Sequence, residues 1–477
     1  MVEEQSVKEK KRVSEEKVMI PLTKGKKNAV IIGCVCLMFS VTVFGVGFFV
    51  IQGPILAEMH ASQYYSLLTI FASLGLAIMT PIGGKLGDLF GRRNIVVISG
   101  IICAACGIGM SLVHSILPFA IFRLLLGAAQ GAFTAAPYIL MREINESKDV
   151  PKAMGYLASA IAVGSFGGGI LLGGLADAGF LRFALMVPAI PLLIGVVLIG
   201  TSLPNKKKDK VEIDFSGIVC LAVLLSGFCL AMNYGPLIGW GNLKVLAGFA
   251  VTVVAGIIFV KMENKAAEPI VPMYLFKNRK FTTLLAVGFV CYFYQTAMSA
   301  YVPLAVQDVM GVSAAAAGSL QLPRTILTMV LPTIAGVWIG KKAANNWKAM
   351  AIATGLAALP FIPLGFTTAS TPFIVYLICI GITGIAESFR SVSVTPVAQS
   401  VLPQKDLGVG TALVTFVNSL STLFAAAING VVYGMSANNV QAGVNNIFRV
   451  TVIISMAGFF LVIFVVRKQL SGNEKAK

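Results

Sequence analysis

Four side chains carry charge inside stretches that are otherwise almost wholly apolar: Arg123, Arg324, Arg390 and Glu387. A charge at the centre of a bilayer costs about 2.5–3.5 kcal/mol on insertion scales, so each such group is expected to face a cavity or a partner. Three guanidinium groups against one carboxylate leave a positive excess. Arg presents a planar fork matched to carboxylate or sulfate, and a cation-lined cavity concentrates anions. Glu387 and Arg390 are three apart on one helix face. Either they neutralise each other, or Glu387 carries a coupling proton that Arg390 modulates. Arg123 reads as a switch or coupling residue, or as a solute contact. Arg324 follows Pro323 near the start of its span, and either snorkels outward or draws an anion to the outer mouth. Tyr292, Tyr294, Gln295 and Tyr301 offer an amphipathic surface to a large apolar body with polar edges, with lipid-interface anchoring as the competing reading for Tyr301. Gln130 and Asn418 are further polar candidates that packing hydrogen bonds explain equally well.

Other chemistries find little support. His60 and His114 stand apart at span edges and offer no metal cluster. All eight cysteines fall inside apolar stretches and read as buried small hydrophobes, the Cys103/Cys106 pair included. Gly45-Val46-Gly47 lies mid-span without the helix start of a phosphate loop, so ATP is not expected as a partner. No catalytic residue, metal or cofactor is expected.

The elements that position these residues must be membrane helices. Hydrophobic residues make up 57% of 477 positions and charged residues 12%, about half the charged share of a soluble chain. Windows long enough to cross a bilayer core of roughly 30 Å recur fourteen times, at 28–52, 64–86, 95–114, 116–141, 153–175, 183–203, 216–235, 245–261, 281–305, 316–338, 349–366, 373–400, 408–432 and 447–466. The basic residues support that number. Arg182, Lys244 and Arg449 alone fall on one side and three arginines lie within spans, so all the other Lys and Arg share the opposite side. That asymmetry is the positive-inside pattern for an even number of crossings, with both termini cytoplasmic. The net charge of +17 therefore speaks for membrane topology rather than nucleic acid. The expected organisation is a solvated tail (1–27), a six-helix bundle (28–203), an inserted helix pair with flanking loops (204–280), a second six-helix bundle (281–466) and a short tail (467–477). The first span is too long for a signal peptide and lacks a cleavage site, so it is expected to stay as an anchor.

After the second span the chain reads Gly84-Lys85-Leu86-Gly87-Asp88-Leu89-Phe90-Gly91-Arg92-Arg93. This resembles the cytoplasmic signature of the major facilitator superfamily, G-x-L-[GA]-D-x-x-G-[RK]-[RK]. Arg123, Gly127 and Gly131 are similar to that family's R-x-x-x-G-x-x-x-G helix, and Gly164-Ser165-Phe166-Gly167-Gly168-Gly169 resembles its antiporter motif, G-P-x-x-G-G, with Ser165 in place of proline. The fourteen-span layout, Ile213-Asp214-Phe215-Ser216-Gly217 and Pro272 to Phe281 look like the drug/proton antiporter branch. The resemblance implies an all-α transporter with a cytoplasmic gate at Gly84, Asp88, Gly91, Arg92 and Arg93, and an antiporter-like helix at Gly164, Ser165, Gly168 and Gly169. That branch carries an acid in the first span, whereas Phe39 to Gly47 holds none.

The missing acid and the cationic interior favour proton-coupled uptake of an amphipathic organic anion, and these features resemble the bile-acid/proton symporters of gut bacteria. Multidrug efflux by proton antiport is the alternative, as the commonest activity of the resembled branch. Arg123, Gln130, Tyr294, Gln295, Arg324 and Arg390 are the expected solute contacts, and Glu387 with Arg123 the expected coupling groups. The protein is expected to work as a monomer in a bacterial cell membrane, with protons and a small organic solute as partners.

Overall fold

A computed structural model describes residues 20–146, 149–205, 214–266, 269–342, 344–403, 406–436 and 439–471. The tail 1–19, most of the basic joint after Asn205, and residues 472–477 lie outside them. The described chain is helical, and fourteen of its helices are long and apolar enough to cross a membrane: α1 Lys24–Glu58, α2 Ser62–Phe90, α3 Arg92–Leu112, α4 Ile116–Glu143, α5 Lys152–Asp177, α6 Leu181–Ser202, α7 Phe215–Ile238, α8 Leu243–Glu263, α9 Arg279–Val309, α10 Ala314–Gly340, α11 Asn345–Leu364, α12 Phe373–Ser400, α13 Leu407–Gly434 and α14 Val440–Leu470. Each expected span falls on one of them. Lipid leaves helix as the economical choice, because every backbone N–H and C=O must find its partner within the segment.

The starts obey local chemistry. Asp214, Asn242, Asn278, Ser313 and Asn439 accept hydrogen bonds from the first backbone amides of α7, α8, α9, α10 and α14. The first helix and the ninth are both interrupted. A π-helical turn occupies Val43–Gly47 in α1, and two more occupy Ala297–Tyr301 and Ala305–Val309 in α9. Such turns disturb the regular ladder and often mark functional positions.

Packing follows from small residues and long-range contacts. α2 lies against α4, α1 against α5 and α6, and α3 against α4 and α6. A Cβ at Gly127 would run into the Ala72 carbonyl of α2, so only glycine permits that approach. α9 packs with α12, α13 and α14, and α11 with α12 and α14. Two seams join these groups: α2 meets α13, and α5 meets α10. The pair α7–α8 is no isolated appendage, since α7 touches both α2 and α13 beside the first seam, with Phe228 stacked on Phe424 at 4.6 Å.

With an even number of crossings, the described chain starts and ends on one face, called here the near face. Three further hydrogen bonds between the two groups join α1 and α2 to α9 toward the far face. Tyr65 Oη donates to Ala300 O at 2.6 Å, Gln307 Nε2 donates to Val50 O at 2.9 Å, and Ser66 Oγ meets Tyr301 Oη at 3.2 Å.

Candidate functional site

Arg324 enters from α10, Glu387 and Arg390 from α12, and Tyr292, Tyr294 and Gln295 from α9. Arg390 grips Glu387 with two donors, Nε to Oε2 at 2.8 Å and Nη2 to Oε1 at 2.6 Å. Its guanidinium also lies 4.8 Å from the Tyr292 ring centroid. Arg324 Nη2 donates to Gln295 Oε1 at 3.1 Å and to Tyr294 Oη at 3.4 Å, and approaches Glu387 Oε2 at 4.0 Å. Tyr294 Oη donates to the same Glu387 oxygen at 3.4 Å. Arg324 does not snorkel toward headgroups; it turns inward. The reason is visible in the partners, a carboxylate and two polar groups one helix away.

Two features set this cluster apart from a fully paired, closed ion pair. Arg324 Nε is buried and has no hydrogen-bond partner. The side chains of Arg324, Glu387 and Arg390 retain 12%, 19% and 10% of their accessibility, so the group stays within reach of a small molecule. Two guanidiniums around one carboxylate leave a local charge of plus one. The cavities of about 260 Å³ and 410 Å³ at the molecule's surface, the first beside Asn445 and Arg449 and the second between Pro21, Arg93 and Gly200, include none of these residues.

Arg123 stands elsewhere. It is 1% exposed, with its guanidinium 3.7 Å over the Phe48 ring and 5.8 Å from Phe49. Nη1 donates to Phe44 O at 3.1 Å, a carbonyl within the π-helical turn of α1. Gln130, two turns along α4, donates weakly to Val41 O at 3.4 Å. Both residues therefore hold α1, and neither joins the Arg324 cluster. The positive excess expected of a single cavity is divided between two places.

Tyr301 is likewise no lipid anchor. It is fully buried, and its ring lies 5.8 Å from both Tyr65 and Tyr433. Asp177, which from the sequence is only an acid at a span end, bridges a seam. Its two oxygens accept from Ala314 N at 3.0 Å and Ala315 N at 2.8 Å, capping α10 from the end of α5. No short-range pattern announces that contact, because donor and acceptor lie far apart in the chain.

The antiporter-like residues face two neighbours. Gly164 and Gly168 lie against Phe39 and Val43 of α1, while a Cβ at Gly169 would sit 3.1 Å from Gly318 Cα of α10. Ser165 is half-buried between them. In the loop after α2, Gly91 has φ +88°, the left-handed region that glycine tolerates. Asp88 accepts from Arg92 Nη2 at 3.0 Å, Arg92 also pairs with Glu143, and Arg93 Nε donates to Gly200 O at 2.6 Å. These contacts tie α2, α3, α4 and α6 to one another. A Cβ at Gly84 meets open space. The eight cysteines are free thiols.

A family model described as Major Facilitator Superfamily matches residues 30–426. The chain is 26% identical over 423 residues to the multidrug transporter protein MdtP of Bacillus subtilis, covering 87% of this chain and 76% of that one. It is 26% identical over 407 residues to the quinolone resistance protein NorB of Staphylococcus aureus, covering 81% and 84%. Among solved structures, the POT family transporter PepTSo superposes with a TM-score of 0.65 at 15% identity, over 96% of this chain and 99% of that one. This last likeness concerns the fold.

Proposed function

The chain belongs to the Major Facilitator Superfamily, and from that premise we propose that it is a proton-coupled carrier of small amphipathic organic anions, with Arg324, Arg390 and Glu387 as the solute site. Membership makes it a multi-pass membrane transporter rather than an enzyme. The observation that carries the anion reading is the unpartnered Arg324 Nε beside a cluster of net positive charge. A solute carboxylate or sulfate accepts from that Nε and competes with Glu387 for the guanidinium forks. Tyr292 and Tyr294 then flank its apolar body.

The competition suggests how a proton is coupled. When the anion draws Arg324 and Arg390 away, Glu387 loses its counter-charges in a poorly solvated site, and a proton takes their place. Anion and proton thus bind together, which is the logic of symport. The seams α2–α13 and α5–α10 are where the two six-helix groups, residues 28–203 and 281–466, rock about the site. The bonds from α1 and α2 to α9 toward the far face, taken as the outer side from the basic asymmetry, fit a state closed to the outside.

A second reading rests on the relatives' names, multidrug transporter and quinolone resistance protein: export of drugs against protons. Nothing in those names points to bile acids, so the solute class here stops at amphipathic anions. Proteoliposomes separate the readings. An acid-outside gradient accumulates a labelled organic anion under symport, whereas antiport extrudes a cationic dye when the gradient opposes it. Accumulation of neither anion nor proton together removes the first reading.

A further inference from the structure

The helices α7 and α8 contribute no group to the solute cluster, yet their near-face ends hold two carboxylates, Asp214 half-buried and Glu263 buried. Asp214 caps α7, with Oδ1 accepting from Gly217 N at 2.8 Å and from Ser216 Oγ at 2.6 Å. Glu263 closes α8 and is 2% exposed; its Oε2 accepts from Val271 N at 2.9 Å. The other oxygen of each, Asp214 Oδ2 and Glu263 Oε1, is buried without a hydrogen-bond partner. Both converge on Gly217, where a Cβ would lie 2.5 Å from the first and 2.9 Å from the second. Two unsatisfied, like-charged oxygens in one buried place are costly unless a cation serves them.

The nearby cation comes from another part of the chain. Lys85 sits half-buried in the last turns of α2, which packs on α7, and its ammonium acts electrostatically on both carboxylates. Burial pushes the Asp214 carboxyl up, but the bonds from Ser216 and Gly217 together with the Lys85 charge hold it below its ordinary range. Lys85 occupies a position of the glycine-rich loop motif whose residue type the motif leaves open.

We propose that the free oxygens of Asp214 and Glu263 form a dock for the Lys85 ammonium, tying the α7–α8 pair to the loop between α2 and α3. The inserted pair thereby acts as a strut on the α2–α13 seam, with its near-face end fixed by charge and its middle by the Phe228–Phe424 stack. Lys is suited to this because its long stem carries a compact point charge to two oxygens on different helices. Gly217 leaves the space between them open.

Hydrogen exchange on the full-length protein in lipid nanodiscs tests the dock without any solute, so its outcome does not depend on the anion reading. Lys85→Met should raise exchange at the start of α7 and the end of α8 about fivefold, the loss of one charge-assisted contact. Asp214→Asn with Glu263→Gln should do the same, and combining all three should add nothing further. Gly217→Ala should match Lys85→Met, and Lys85→Arg should restore much of the protection. Additive effects, or a silent Lys85→Met, overturn the proposal. Where the double carboxylate variant does not fold, the contrast of Met with Arg at position 85 decides: equal exchange in the two overturns it.

Discussion

Two regions of this molecule bury arginine in opposite ways. Arg123 is sealed between Phe48, Phe49 and a backbone carbonyl of α1, with no carboxylate among its described partners. Arg324 and Arg390 share one carboxylate and keep a tenth of their side-chain surface. A cation–π contact worth roughly 2 kcal/mol when desolvated and a charged hydrogen bond of about 1.5–3 kcal/mol together offset an insertion cost of about 3 kcal/mol. Arg123 thus sits without an ion partner; its Nε also lacks a hydrogen-bond partner, but at 1% exposure it offers no surface to a solute. The second region has its own unpaired donor, Arg324 Nε, in a cationic group that keeps some accessible surface, which is what the proposed anion would use. Leftover hydrogen-bonding capacity is common to both regions; what differs is the surface the Arg324 cluster keeps and the carboxylate it shares.

That contrast can be broken most readily at Arg324. Arg324→Ala should weaken anion binding about thirtyfold, for a loss of about 2 kcal/mol, with little change in thermal stability. Calorimetry with an amphipathic carboxylate reads the affinity directly, and an unchanged Kd would move the site elsewhere. Glu387→Gln should act in the opposite sense: with the internal competitor neutralised, anion binding tightens about tenfold while accumulation driven by a proton gradient disappears. Persistence of gradient-driven accumulation would strip Glu387 of its coupling role. Arg123→Lys should cost about 1–2 kcal/mol of stability, since an ammonium cannot stack on Phe48 as a guanidinium does, yet leave anion affinity within about twofold. A large affinity loss with an unchanged melting temperature would merge the two regions into one. The smallest effect is expected from Tyr294→Phe, which removes one hydroxyl from the Arg324–Glu387 group and should weaken binding about fivefold, near 1 kcal/mol. Equilibrium binding at fixed pH is sensitive enough to register it.

Much of the architecture was legible before any coordinates. The bilayer taxes each polar residue where it stands, so fourteen apolar stretches and a one-sided distribution of Lys and Arg can be read locally. The inventory of buried charges was legible for the same reason, and so was the loop from Gly84 to Arg93. What stayed hidden were the pairings. Arg324 could point either way along its own helix until Gln295 and Tyr294 were placed beside it. Tyr301 resembled an interface anchor until Tyr65 and Tyr433 closed around it. Asp177, at the end of its span, caps α10, a partner no pattern near it in the chain points to.

The sequence by itself therefore determined how many helices cross, which loop marks the family, and how few charges the interior holds, because desolvation is a cost each residue carries alone. Only the tertiary structure decided that Arg123 clasps α1 while Arg324 shares Glu387 with Arg390, and that Asp214 and Glu263 converge on Gly217. Those outcomes depend on distances between helices tens to hundreds of residues apart, which no local pattern of hydropathy or spacing encodes.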